Sequence, residues 1–298
     1  MRIAYHRLPT EQRNPRSHHL DQLSPLALLR LMAREDARVL RAVQQALPRI
    51  AQAIRLIAGA LRDGGRLFLV GAGTSGRLAV LEAAECPPTF STPPARVQAV
   101  IAGGRGAVFR SREGAEDDRA GVQRAMAQRV RRGDVVVGIS ASGVTPFVDA
   151  ALRSARRRGA ATVLLSAHPR SPIPADVTIA LRVGEEVLAG STRLKAGTAT
   201  KLVLNMLTLG AMTRLGKTHG NLMVDVRPTS RKLRARAQYL VQTLTGASAP
   251  EAAQALRVAR GRVKVAVLMR ARGDSAARAT RRLARAGDSL RRALADGQ

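Results

Sequence analysis

Short apolar runs alternate with helical segments through the middle of this 298-residue chain, and this alternation restricts the fold more than any other feature. Runs rich in Val, Leu and Ile are typical of strands buried on both faces, and strands that alternate with helices are typical of βαβ units. The sequence therefore predicts an α/β fold with a parallel sheet between layers of helices. The five predicted strands cover residues 66–73, 97–104, 134–140, 161–167 and 176–181.

Helical patterns flank this alternating part on both sides. Residues 1–23 are polar and predict an extended arm, and Ser24 before Pro25 is typical of a helix N-cap followed by a first-turn proline. The apolar spacing that follows predicts two helices, broken near Pro48. We predict three segments, namely an N-terminal arm with helices, an α/β domain and a small C-terminal helical domain. Their boundaries are 1–56, 57–220 and 221–298.

The charge of the chain is strongly positive, because 50 Lys and Arg residues face only 21 Asp and Glu, which gives +29. Clustered arginine favours a phosphate-rich partner such as a nucleic acid. Here, however, arginine is spread over helical positions, no known nucleic-acid-binding motif occurs, and aromatic residues make up only 2%. We therefore interpret the excess as compositional and expect no nucleic-acid partner.

The cellular compartment is suggested by the single cysteine, Cys86, which cannot form an intramolecular disulfide. The N-terminal residues lack the apolar stretch of a signal peptide, and the longest charge-free apolar stretch is too short for a membrane span. We expect a cytoplasmic protein with no membrane partner.

The first predicted strand runs into the sequence GAGTSGRL at residues 71–78, which matches GxGxxG between a strand and a helix. A dinucleotide site also needs an acidic residue at the end of the second strand, where this chain has Gly103, Gly104 and Arg105. Arg105 leaves an NADP site open as an alternative. The loop otherwise provides Gly73, Thr74 and Ser75, whose hydroxyls and helix N-terminal N–H groups suit a phosphate or sugar oxygen.

Two later loops repeat this design, at residues 140–147 and 190–198. Any one Ser or Thr among them is more simply explained as a helix N-cap. Three such loops at the carboxyl ends of parallel strands, however, indicate a binding site, and their hydroxyls, glycines and single lysine suit a sugar phosphate. The predicted binding residues in the two later loops are Ser140, Ser142, Gly143, Thr145, Ser191, Thr192 and Lys195.

Several unusual strings give the chain a resemblance to a known family. They include GAGTSGRL, LEAAECPPTF at residues 81–90, EGAEDD at 113–118 and LGKTHGNLMVDV at 215–226, and the arm adds TEQRNP at 10–15. The chain resembles the N-acetylmuramic acid 6-phosphate etherases, which have one sugar isomerase (SIS) domain and are related to glucokinase regulatory protein. The resemblance implies an SIS-type α/β/α fold, a homodimer, no metal or cofactor, and a role in N-acetylmuramate catabolism and peptidoglycan recycling.

The reaction of that family splits the ether between C3 of the amino sugar and D-lactate, which requires an acid and a base. Composition does not choose among the acids near the loops. The resemblance implies Glu85 as the proton donor to the leaving oxygen and Glu116 as the second carboxylate, which removes the C2 proton. It also implies a departure at Val144, where the family commonly has Arg. A sugar-phosphate sensor without turnover and a sugar-phosphate isomerase are the alternative functions.

Overall fold

The computed structural model describes residue 6 and residues 8–296, which form two compact units. The first unit comprises Met1–Ala84 and Ala95–Thr208, and the second comprises Glu85–Pro94 and Leu209–Gln298. The division into three segments at 56/57 and 220/221 remains a prediction.

The first unit is built on a five-stranded parallel sheet with the strand order β2-β1-β3-β4-β5. All five predicted strands are confirmed, each within a few residues of its expected ends. The strands are β1 (Leu67–Gly71), β2 (Val97–Ile101), β3 (Val135–Ser140), β4 (Ala161–Ser166) and β5 (Val177–Ala180). Every residue of β1 and β3 is buried, which confirms that helices cover both faces of the sheet.

Helices connect the strands except β4 and β5, which a loop joins, and further helices follow the last strand. Between the arm and the end of the sheet they are α1 (Pro25–Arg62), α2 (Gly73–Phe90), α3 (Gly106–Phe109), α4 (Arg119–Arg129), α5 (Pro146–Arg157) and α6 (Lys195–Arg214). The later helices are α7 (Arg231–Thr245), α8 (Ala249–Val258), α9 (Val263–Arg272), α10 (Ala276–Arg285) and α11 (Leu290–Ala295). These later helices pack around an apolar core of their own in the second unit.

The predicted break at Pro48 is wrong, because α1 runs without interruption from Pro25 to Arg62. Proline removes one helical hydrogen bond and leaves the carbonyl of Gln44 without its donor. Both Pro48 and Gln44 are exposed, so water can satisfy that carbonyl, while Val43 and Ile50 on either side are buried. Burial of the apolar face therefore holds the helix together across the proline.

The arm also differs from its prediction, and α2 contains two prolines. The arm is not simply extended, since it makes several turns and a 3₁₀ helix at Leu20–Gln22; residues 1–5 and 7 lie outside the described part. Helix α2 does not end at the two prolines of ECPPTF but includes Pro87 and Pro88 and ends at Phe90. Ser91 then takes a left-handed backbone conformation, with φ of 52°, as is common just after a helix.

No helix in the described residues is both long enough and apolar enough to cross a membrane.

Candidate functional site

The loops after β1 and β3 lie side by side, because these two strands are neighbours in the sheet. The strand order reverses between them, since β2 flanks β1 on one side and β4 flanks β3 on the other. In open parallel sheets, ligands bind outside the carboxyl ends of the strands at such a reversal. The topology therefore places the two predicted glycine- and hydroxyl-rich loops where a ligand site is expected.

A cavity of about 280 Å³ opens at this place, within the first unit. Its wall includes six of the ten predicted site residues from the three loops, together with Glu116. The lining residues are Leu8, Thr10, Glu11, Ala72, Gly73, Thr74, Ser75, Glu116, Ile139, Ala141, Ser142, Val144, Thr145, Gly190 and Thr192.

The first loop brings the N-terminus of α2 to the cavity. Gly73 has a left-handed φ of +53°, and no atom lies within 4 Å of where a side chain would begin, so its backbone is open to approach. Gly76 is needed for a different reason, since a Cβ there would lie 2.6 Å from the carbonyl oxygen of Gly71. The turn packs the helix tightly on β1 and leaves the backbone N–H groups near Thr74 and Ser75 available for an anion.

The second loop is held by a small network of hydroxyl groups. The Oγ of Ser140 lies 2.7 Å from Oγ1 of Thr145 and accepts a hydrogen bond from the backbone N–H of Gly143 at 3.0 Å. Gly143 has φ of +72°, and a Cβ on it would come within 2.6 Å of the His168 side chain. Ser140 and Gly143 thus shape the loop from below the cavity, while Ser142 and Thr145 reach its wall.

The third loop is used differently from the first two. The carboxylate of Glu186 accepts hydrogen bonds from the backbone N–H groups of Lys195 at 3.0 Å and Ala196 at 2.9 Å. Glu186 therefore occupies the N-terminus of α6, where the sequence predicts a ligand. Burial raises the pKa of this carboxyl, and the two backbone donors only partly offset the effect. Of the three residues predicted here, Thr192 lines the cavity and Ser191 does not.

Lys195 is fully buried, and its Nζ lies 2.6 Å from Oε2 of Glu35 on α1. Its side chain is not part of the cavity wall, so the structure gives this lysine an internal partner rather than a place at a ligand. Glu35 also accepts hydrogen bonds from Asn14 and Arg16 of the arm, each at 2.8 Å. Although burial alone would raise the pKa of Glu35, these donors and Lys195 lower it, so the carboxyl stays ionised.

The arm contributes residues that the sequence analysis did not select. Leu8, Thr10 and Glu11 line the cavity, and the carbonyl of Thr10 accepts a hydrogen bond from the N–H of Gly190 at 2.8 Å. The only sequence signal for Thr10 and Glu11 is the string TEQRNP, which contributes to the resemblance without indicating a role, and Leu8 lies outside that string. Glu11 places a second carboxylate on the cavity wall beside Glu116.

Glu116 lies in a 3₁₀ helix, Ala115–Asp117, and lines both the main cavity and a smaller adjoining one of about 180 Å³. Its side chain remains exposed to solvent on one side. Burial of the other side raises the pKa of this carboxyl, and the negative charges of Asp117 and Glu113 raise it further. A carboxyl group whose pKa is moved toward neutrality can take and return a proton at the pH of the cell.

Glu85 belongs to the second unit, lies on α2 and is exposed. One helical turn earlier, Glu82 is buried and accepts hydrogen bonds from Lys201 at 2.8 Å and from the hydroxyl of Thr208. Those contacts occupy Glu82 in the packing of α2 against α6. Glu85 is thus exposed and is not among the residues that line the cavity at Glu116, while Cys86 beside it is buried, as a small apolar residue would be.

The described cavity wall contains no Lys or Arg. The polar groups on this wall are hydroxyls, the backbone N–H groups at the start of α2 and the carboxylates of Glu11 and Glu116. Val144, where the resemblance implies a family Arg, is buried in this wall and adds only apolar surface.

Comparison with known proteins gives two domain matches within this chain. Residues 49–156 match the glucokinase regulatory protein N-terminal SIS domain, and residues 116–210 match the SIS domain. A phosphoheptose isomerase from Francisella tularensis superposes with a TM-score of 0.50 at 16% identity, and the match covers 64% of this chain and all of that one. At that identity the likeness concerns the fold alone, and it agrees with the SIS-type fold.

Much closer relatives exist among proteins of known name. A protein from Gloeobacter violaceus named N-acetylmuramic acid 6-phosphate etherase is 56% identical over 265 residues, which is 88% of this chain and 87% of that protein. A protein of the same name from Symbiobacterium thermophilum is 54% identical over 268 residues, or 89% of each chain.

The buried pair of Lys195 and Glu35 generates a prediction about stability. We expect Lys195→Met to lower the free energy of unfolding by about 3–5 kcal/mol, because it removes the lysine from a buried carboxylate. Adding Glu35→Gln to that variant should restore part of the loss, since the second change removes the unpaired charge. Urea unfolding followed by circular dichroism measures both effects.

Arg153→Met is the control, because Arg153 is about half exposed and its partner Asp149 keeps a second cation, Arg119, so the loss should be about 1 kcal/mol or less. A loss at Lys195 no larger than the loss at Arg153 would mean that the buried pair does not stabilise the fold.

Proposed function

Since the chain belongs to the N-acetylmuramic acid 6-phosphate etherase family, we propose that it cleaves the lactyl ether of N-acetylmuramic acid 6-phosphate, a carbon–oxygen lyase reaction. The products are N-acetylglucosamine 6-phosphate and D-lactate. The observation that carries the proposal on this chain is Glu116, a carboxyl of raised pKa on a cavity walled by hydroxyls and an open helix N-terminus. The reaction then belongs to amino-sugar catabolism and peptidoglycan recycling.

In the proposed complex the sugar phosphate lies at the loops after β1 and β3. Thr74 and Ser75, with the N–H groups that begin α2, bind the phosphate, and Ser142, Thr145 and Thr192 hydrogen-bond the phosphate or the sugar hydroxyls. Their positions on one cavity wall support this assignment. A helix N-terminus favours an anion through its free N–H groups and its dipole, which accounts for phosphate binding on a wall without basic side chains.

The proposed reaction starts from the open-chain aldehyde, in which the carbonyl acidifies the proton on C2. Glu116 removes that proton, the bond between C3 and the lactyl oxygen breaks, and Glu85 gives its proton to the departing oxygen, which releases D-lactate. Water then adds to the unsaturated aldehyde, with its hydroxyl on C3 and a proton returning to C2. Each proton transfer by a well-placed group contributes about a hundredfold or more to the rate.

The decisive experiment measures D-lactate release by the wild type, Glu85→Gln and Glu116→Gln. We expect each variant to lose about a hundredfold or more in kcat, because each lacks one proton-transfer group. In D₂O, Glu85→Gln should still exchange the C2 proton of the substrate, because it keeps the proposed base. Glu116→Gln should not exchange this proton, and the difference distinguishes the base from the acid. Asp63→Asn is the control, since Asp63 precedes β1 and lies at the opposite end of that strand from the cavity.

Three other outcomes would contradict the proposal. Full activity in both folded glutamate variants would remove these residues from the mechanism. Binding of the sugar phosphate by folded wild type without lactate release would favour the non-catalytic sensor. Interconversion of an aldose and a ketose phosphate without ether cleavage would favour the isomerase.

A second prediction concerns pH. If Glu116 acts as the base, kcat/KM rises with pH as its carboxyl loses a proton, and the raised pKa places this rise above the pH expected for an ordinary glutamate. Asp117→Asn removes one negative charge beside Glu116 and should lower its pKa, so the acid limb of the profile should move to lower pH. The limb should stay in place in Asp63→Asn. An upward movement in Asp117→Asn, or none, would contradict the role of Glu116 as base.

We also propose that the chain works as a cytoplasmic homodimer, as the resemblance implies. Four leucines of α1, spaced three, eleven and seven residues apart, lie on one helix face and are between 46% and 61% exposed: Leu26, Leu29, Leu40 and Leu47. An exposed apolar stripe of this kind is typical of a surface that meets another helix. The cytoplasmic location rests on the single cysteine.

The leucine stripe gives a test of the dimer. Leu40→Glu should shift the purified chain from dimer to monomer in light scattering, because it puts a charge in the middle of the apolar stripe. Val258→Glu introduces the same charge at an exposed apolar residue of α8 and should leave the mass unchanged. A monomeric wild type, or an equal effect of both variants, would argue against α1 as the dimer surface.

A further inference from the structure

The second unit contains a cavity of its own, of about 520 Å³, which no part of the proposed reaction uses. Its size lies within the range of about 300–1,000 Å³ that is usual for small-molecule sites. Five basic residues and two acidic ones line it, and all of them belong to the second unit.

Four of these charged residues neutralise one another in a compact network. The Nζ of Lys217 lies 2.6 Å from Asp225 and 3.2 Å from Asp288, and the Nζ of Lys264 lies 3.0 Å and 2.9 Å from the same two carboxylates. Although burial alone would lower the pKa of Lys217, the two aspartates raise it, so this lysine stays charged. The two positive and two negative charges cancel.

The other three basic residues, Arg227, Arg260 and Arg262, are not neutralised. Among the described residues, no Asp or Glu comes within 4 Å of their guanidinium groups, and Arg262 makes only a neutral hydrogen bond, to the hydroxyl of Thr280 at 3.2 Å. The cavity wall therefore carries an excess of three positive charges. Such a concentration of uncompensated arginine favours a multiply charged anion.

The beginning of α9 points to the same class of ligand. Val263, Lys264 and Val265 form its first turn and are each at least 98% buried, and the side chain of Arg262 at the N-cap position does not cap the helix. The first N–H groups of a helix have no partner within the helix, so a buried and uncapped N-terminus needs an acceptor from elsewhere. Gly261, Arg262, Val263 and Lys264 all line the cavity, where an anion can supply that acceptor.

We propose that this cavity is a second anion site, which binds an organic phosphomonoester separately from the cavity at Glu116. The phosphate accepts hydrogen bonds from the N–H groups that begin α9 and is paired with Arg227 and Arg260. The remaining volume of the cavity holds the organic part, since a bare phosphate fills only a small part of about 520 Å³. The site binds its ligand without chemical change and is independent of the proposed ether cleavage.

The test is hydrogen–deuterium exchange of the full-length chain titrated with inorganic phosphate and, separately, with glucose 6-phosphate, at constant ionic strength. We expect slower exchange in the peptide that covers residues 260–268, with half-saturation at a lower concentration for glucose 6-phosphate. The double variant Arg227→Gln/Arg260→Gln should need at least tenfold more of either probe. Both arginines are exposed and without ion pairs, so this variant should fold like the wild type.

The matched control is Arg234→Gln/Arg281→Gln, which removes two exposed arginines of the same unit that do not line the cavity. Unchanged protection in this control supports the site. No protection of residues 260–268 by either probe, equal protection by chloride, or equal weakening in both double variants would overturn the proposal, because the chain would then attract anions only through its overall charge. Tighter binding of inorganic phosphate than of glucose 6-phosphate would overturn the assignment to an organic phosphate.

Discussion

The carboxylate of Glu35 is the contact on which the arrangement of the first cavity depends. It is buried in α1 and joins two parts of the chain that are far apart in sequence, the arm through Asn14 and Arg16 and the loop before α6 through Lys195. A buried charge is costly unless it is paired and hydrogen-bonded. Moving any of these partners away from Glu35 would leave its buried carboxylate less well paired, and this cost keeps the partners in place. This network therefore fixes the position of the cavity wall that Thr10 and Gly190 form.

The three loops resemble one another in sequence, but the N-terminus of the helix after each loop has different surroundings. At α2 the helix N-terminus is left open by glycine, and at α5 the hydroxyl of Ser140 holds the turn while Ser142 and Thr145 face the cavity. At α6 the carboxylate of Glu186 fills the N-terminus from inside the protein. Only the third loop therefore has its helix N-terminus occupied by a side chain of the protein, and Thr192 and Gly190 are its contribution to the cavity wall.

The sheet could be predicted from the sequence because its three central strands, β1, β3 and β4, are buried on both faces and their sequences are nearly unbroken apolar runs. The continuity of α1 could not be predicted from the sequence. It depends on which side of the helix Pro48 lies and on what the opposite side of the helix packs against. The role of Lys195 could not be predicted from the sequence either. Its partner Glu35 lies 160 positions away, and a lysine in a hydroxyl-rich loop has the same local pattern whether it pairs internally or binds phosphate. The local sequence therefore predicts the turn, but the partner of the lysine depends on the tertiary fold.

The same distance along the chain has a consequence for how the cavity forms during synthesis. Thr10 leaves the ribosome long before Gly190, whose N–H donates a hydrogen bond to the carbonyl of Thr10, and Glu35 likewise precedes Lys195. Contacts of such large sequence separation form late in folding, because the intervening chain must first be ordered. A nascent chain can therefore build β1 to β4 while the cavity at Glu116 still lacks the part of its wall that Gly190 and Thr192 form. The arm closes the cavity only after the loop before α6 has emerged.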